Sequence, residues 1–205
     1  SKLKYANPFS KSFRMLDFHN FSSKKNYGYT MLEMTVVLAI ITAISIQVLV
    51  SFTGLNEGAA LHRAAQEVAL AVRKAQNMSL AVSQIQDGPG SPPGIGIHLE
   101  NNKSDYFLFG DYGTPAFVYG SGDILVLGSN SSFERGVKII LLQPESGPSF
   151  TKADITFAPP EAVITITNSD ESSLITTDML TIELAAPSGQ KKKVIIRASG
   201  QVSIK

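Results

Sequence analysis

Gly28-Tyr29-Thr30-Met31-Leu32-Glu33 stands between Lys24-Lys25 and a run without formal charge that extends from Met34 to Asn56. The nineteen residues from Met34 to Phe52 are interrupted only by Thr35, Thr42, Ser45, Gln47 and Ser51. A membrane helix needs about 20 predominantly apolar residues, so the run is just sufficient to span a bilayer. A charge at the centre of such a helix costs roughly 2.5–3.5 kcal/mol on insertion scales, which marks a carboxylate at its mouth as functional. If the chain were cut between Gly28 and Tyr29, Glu33 would become the fifth residue, one helical turn from a new α-amino group. In an apolar assembly that amine and carboxylate would neutralise each other. Two other readings compete: a buried core helix and a cleaved secretory signal. A secretory signal has an apolar region of about 7–15 residues, shorter than this run, and Glu33 at its entrance does not fit one.

Working outward, the chain of 205 residues has room for one domain plus an anchor, or two small domains. Its net charge of +1 conceals an asymmetry. Residues 1–28 carry six Lys or Arg against Asp17 alone, a net of +5, which leaves the remainder at −4. A basic flank beside an apolar helix favours the cytoplasmic side, so residues beyond the helix are expected outside. There is no cysteine, hence no disulfide framework and no thiol chemistry. His19, His62 and His98 are far apart, without the close pairing of a zinc site, and each reads as a surface or packing residue. No metal or cofactor is expected.

Past the apolar run a second helical segment begins. Leu61, Ala65, Val68, Val72, Ala75, Ser79 and Val82 recur at spacings of four and three, which puts them on one face. Arg63, Glu67 and Lys74 fall opposite, with Arg63 and Glu67 spaced as an i,i+4 pair. Gly54 and Gly58 at the junction each cost about 1 kcal/mol relative to Ala, so a bend or local melting is expected there. A continuous helix from about Thr30 to Ser83 would be about 80 Å long, too long for one compact domain to bury. Gln86-Asp87-Gly88-Pro89-Gly90-Ser91-Pro92-Pro93-Gly94 ends it. Short β-like runs follow at 95–99, 106–109, 116–119, 124–127, 137–142, 155–157, 162–167, 179–184, 194–197 and 202–204. The alternation in Val163–Thr167 and Met179–Leu184 predicts a sheet with one wet face. Turns at 187–190 and 198–201 link the last three strands into an antiparallel meander. The fold class is α+β: a long helix and a small antiparallel β domain.

The order of basic residues, Gly28, Tyr29, Glu33 and apolar helix resembles the prepilin signature of the type IV pilin superfamily. Tyr29 stands where phenylalanine is usual, and the segment before Gly28 is long for a pilin leader. The phrases Ala64–Gln76, Ile155–Pro159 and Val194–Ile204 are similar to minor pseudopilins of the GspH/FimT type. The resemblance implies a basic leader over 1–28, a transmembrane and assembly helix over 29–53, its amphipathic second half over 54–86, and a β-rich globular domain over 87–205. It also implies cleavage after Gly28 by prepilin peptidase, with Lys24 and Lys25 as leader charge, and N-methylation of Tyr29. Glu33 would set register against other subunits in a type IV pilus or type II secretion pseudopilus. The acidic calcium loop of major pseudopilins is replaced by Gln190-Lys191-Lys192-Lys193, so calcium is not implied.

Enzyme chemistry is not expected. No serine sits in a GxSxG elbow, and Gly94-Ile95-Gly96 and Gly120-Ser121-Gly122 lack the rest of a phosphate loop. Lys191-Lys192-Lys193 reads as a solvated hairpin edge. The negative charge after residue 28 argues against a nucleic-acid partner. The expectation is therefore a non-enzymatic minor pilin or pseudopilin in the inner membrane, its leader cytoplasmic and its β domain extracytoplasmic. The alternative is an uncleaved, signal-anchored extracytoplasmic binding module.

Overall fold

A computed structural model describes residues 28–85, 88–169 and 175–205. They fall into two compact units, divided between Ser45 and Ile46. Helix α1 covers Met31–Leu80, and its assignment continues through Gly54 and Gly58, so the chain does not melt locally there. All described residues from Gly28 to Leu49 are exposed. This part of α1 is long and apolar enough to cross a membrane, and none of its most apolar window is buried. The chain is thus compatible with a single-pass membrane protein.

The second unit shows why the Ala-rich stripe exists. Leu61, Ala65, Val68, Val72, Ala75 and Ser79 are all buried, and the small side chains let the helix backbone lie close to the strands. Val82 departs from the expected stripe. The helix ends first, and Val82 takes a left-handed φ of 49°. Its N–H reaches Ser79 O and the Ser83 N–H reaches Met78 O, both at 3.0 Å, the pattern of a Schellman cap. Arg63 does not pair with Glu67 but reaches Glu134 at 2.7 Å.

Ten strands follow: β1 Gly94–Glu100, β2 Asp105–Asp111, β3 Ile124–Leu125, β4 Ser131–Ser132, β5 Lys138–Pro144, β6 Lys152–Ala158, β7 Val163–Asn168, β8 Met179–Ala185, β9 Lys191–Arg197 and β10 Val202–Ile204. They form two antiparallel sheets where the sequence led us to expect one small one. The first has the order β3-β2-β1-β6-β7 with β4 also on β2, and the second β10-β9-β8-β5. Ile95, Ile97 and Leu99 of β1, Ile155 and Phe157 of β6, and Leu180, Ile182 and Leu184 of β8 share one core with the α1 stripe. The Ser79 hydroxyl ties helix to sheet by donating to Phe157 O at 2.9 Å.

One local expectation is corrected. Residues 116–119 are not a strand but part of the β2–β3 connection, in which Phe117 has a φ of +68°. The lysine run keeps a free margin, because β10 pairs only with residues 194–196 of β9 and leaves Lys191 and Lys192 with β8 alone. Lys191 and Lys193 also flank Glu183 at 2.9 and 3.7 Å. The Lys191 hydrogen bond, opposed by burial, holds the Glu183 carboxyl below its ordinary value.

Candidate functional site

At the start of α1, Gly28 and Tyr29 precede the helix, and Tyr29 is 73% exposed. The Thr30 hydroxyl accepts from the Glu33 N–H at 3.2 Å, and Thr30 O receives the Met34 N–H at 3.2 Å. Thr30 is thus the N-cap of a Thr-x-x-Glu pattern. A carboxylate in the first turn also meets the positive end of the helix dipole, worth about 0.3–1 kcal/mol at an exposed site. Among the described residues no side chain pairs with the Glu33 carboxylate. Gly28, Tyr29 and Glu33 lie in one short exposed stretch, while Lys24 and Lys25 are outside the described residues.

Three hydroxyls within the apolar run are already satisfied. Thr35, Thr42 and Ser45 donate to the carbonyls of Met31, Leu38 and Ile41, each four residues back, at 2.6, 2.7 and 2.8 Å. Such back-bonding removes the desolvation cost of an unpaired hydroxyl in an apolar medium.

A second constellation lies on the β1–β2–β6–β7 face remote from the core stripe. Alternation along β1 sends Ile95, Ile97 and Leu99 into the core and puts Gly96 and His98 on the other face. The same alternation in β6 separates Ile155 and Phe157 from Asp154 and Thr156. The register opposes His98 to Phe107 on one side and Asp154 on the other. Asp154 has no exposed surface. It accepts from His98 Nδ1 at 2.6 Å, from the Tyr119 N–H at 2.8 Å and from the Ser169 hydroxyl. The imidazole is stacked on Phe107 at 5.0 Å between centroids and meets Tyr119 at 5.2 Å. Since a carboxylate only accepts, Nδ1 carries the proton of this bond, and Nε2 is the ring nitrogen left for another partner.

The cover of this face is the β2–β3 connection, residues 112–123. Asp123 closes its base by accepting from the N–H groups of Tyr112, Gly113 and Gly120 at 2.8, 2.6 and 2.8 Å. At its centre Phe117 holds a left-handed backbone, which costs of order 1–3 kcal/mol for a residue with a side chain. Three side chains enforce it. Asp111 accepts the Phe117 N–H at 2.8 Å, and the hydroxyls of Thr156 and Thr167 donate to Phe117 O at 3.3 and 2.9 Å. The second Asp111 oxygen is buried without a hydrogen-bond partner. Burial pushes the Asp111 carboxyl up, against the Phe117 hydrogen bond, with Asp123 and Asp154 adding to the rise.

Between cover and sheet lies a cavity of about 710 Å³ whose lining includes His98, Phe107, Tyr119, Lys152 and Ser169. Reading His98 as a surface or packing residue captures its burial but misses the Asp154 pair. The partners are 56 positions apart, and no local spacing announces them. His62 lies 3.2 Å from Gln66 on α1, and His19 is outside the described residues. Among the described residues no three His, Asp or Glu side chains gather as a metal site. No protein-family model, curated protein or solved structure matches the chain.

Proposed function

We propose that the chain is a minor pilin or pseudopilin, a structural subunit of a type IV pilus or a type II secretion pseudopilus rather than an enzyme. Prepilin peptidase cuts it after Gly28, Tyr29 is N-methylated, and α1 then packs against the helices of other subunits. Before assembly it sits in the inner membrane with its leader cytoplasmic and its β-rich part extracytoplasmic. The observation that carries this reading is Glu33, the only formal charge from Met31 to Leu49. It stands in the first turn of a helix whose apolar side chains are exposed over that span. A long helix leading into antiparallel sheets agrees with the pilin plan and supports the same conclusion.

In this mechanism Glu33 pairs with the Tyr29 amine of its own or a neighbouring subunit and fixes axial register. The deciding measurement is the intact mass of the chain purified from its native host. A species beginning at N-methylated Tyr29 is expected. The cavity beside His98 favours a second reading, an uncleaved anchor that displays a binding module. Retention of residues 1–28 would select that reading and reject the first.

A further inference from the structure

We infer that the cavity beneath residues 112–123 binds a neutral saccharide, with His98 and Tyr119 as its recognition groups. The inference holds whether or not the chain is cut after Gly28. It begins with Asp154. A fully buried carboxylate is costly, and apolar residues of similar volume often serve stability as well or better. All three donors to Asp154 belong to residues that line the cavity: His98, Tyr119 and Ser169. One buried acid therefore positions three parts of one wall, which is the arrangement of a preorganised site.

The chemistry of the wall selects the ligand. His98 gives Nδ1 to Asp154, which leaves Nε2 for a ligand hydroxyl, a group that both donates and accepts. Phe107 and Tyr119, packed edge to face with centroids 4.8 Å apart, add apolar ring surface for a ligand with a C–H face. The remaining formal charges cancel. Glu100 and Lys152 are opposed in the β1–β6 register, and both line the cavity, so the rim offers a strong acceptor and a strong donor without a net charge. Thr114 and Ser121 also line the cavity, beside the apolar Pro115 and Val118. A ligand of one net charge would leave one of the two rim groups opposed to it, and a small zwitterion such as glycylglycine lacks the C–H face that the rings call for. A molecule rich in hydroxyls, neutral, and apolar on one face meets every one of these groups. The volume of about 710 Å³ lies within the usual range for small-molecule sites.

The test uses the full chain in phosphatidylcholine nanodiscs, which carry no sugar headgroups. Glucose, galactose, mannose and N-acetylglucosamine are titrated by saturation-transfer NMR. At least one sugar is expected to bind. Tyr119→Ala and His98→Ala should each weaken it by about tenfold or more, the loss of one good contact. Leu127→Ala, an exposed residue outside the cavity lining, should leave binding unchanged. Because removing His98 strands Asp154, Lys152→Ala serves as a rim variant that spares the buried cluster, and it should weaken the sugar several-fold. The inference is overturned if none of the four sugars binds, or if binding is unchanged in Tyr119→Ala and Lys152→Ala. It is also overturned if glycylglycine or acetate binds in place of the sugars, which would make the site one for charged ligands.

Discussion

Replacing Asp154 by Ala and by Asn separates the acceptor role of this side chain from its charge. Ala removes the acceptor of three donors. The Tyr119 N–H is fixed by the backbone and cannot turn elsewhere, so it bears the full cost of an unsatisfied buried group, about 1–3 kcal/mol. The His98 and Ser169 donors can partly adjust, by tautomer exchange and hydroxyl rotation, and contribute about 1 kcal/mol each. The expected destabilisation is therefore about 3–5 kcal/mol, a large share of the roughly 5–15 kcal/mol of a typical domain. Asn behaves differently. Its carbonyl takes the Oδ2 position and keeps Tyr119 and Ser169, while its amide donates to a His98 that has moved its proton to Nε2. That exchange costs about 1 kcal/mol. Thermal unfolding followed by near-ultraviolet circular dichroism would read the gap. For a chain of this size each kcal/mol shifts Tm by about 2–4 °C, so Ala should melt roughly 5–15 °C below Asn. Nitrogen-15 shifts of His98 would report the tautomer. If Ala melts within a few degrees of the unmodified protein, Asp154 does not organise this face. If Asn is as damaging as Ala, the charge and not the hydrogen-bond pattern is what matters.

Three other outcomes are expected. Gly96→Ala puts a methyl group 2.5 Å from Cζ of the fully buried Phe109 and 3.1 Å from the Thr156 hydroxyl, which should cost about 1–3 kcal/mol in a denaturation curve. Asp111 has a raised folded-state pKa, so its favourable contribution is complete below its ordinary 3.8 and is lost as pH rises through the raised value. Asp111→Asn should remove that dependence and gain Tm relative to the native side chain as pH rises above 3.8; a difference that stays constant with pH would show that Asp111 does not titrate as argued. Glu33→Ala should impair filament assembly while the β-rich part keeps its Tm, because it strands the partner amine at a cost of about 3–5 kcal/mol. Wild-type levels of assembled subunit in sheared filaments would refute the pairing.

The helix was legible because its two signals are local. The stripe from Leu61 to Ser79 repeats every three or four residues, and the apolar run needs only composition. The β8–β9–β10 meander was legible for a similar reason, since its turns carry Gly189 and Gly200 at positive φ. The division into two sheets was not, because it depends on which non-neighbouring strands meet, as β1 with β6 and β5 with β8. Ala116-Phe117-Val118-Tyr119 looks like a strand by composition. Asp111 and Asp154 decide otherwise by capturing the N–H groups of Phe117 and Tyr119 from outside the segment, and Asp123 captures that of Gly120 just after it. Hydrophobic periodicity carries no trace of such capture, and the His98–Asp154 pair is invisible for the same reason.

The back-bonded hydroxyls of Thr35, Thr42 and Ser45 have a consequence for any transfer of α1 between surroundings. Each carries its acceptor with it on the same helix, so moving from lipid to a bed of neighbouring helices breaks none of these bonds and requires no new partner for them. Their share of the transfer free energy is close to zero in either direction. Under the proposed function, specificity for the new surroundings would then fall to Glu33, the one formal charge from Met31 to Leu49.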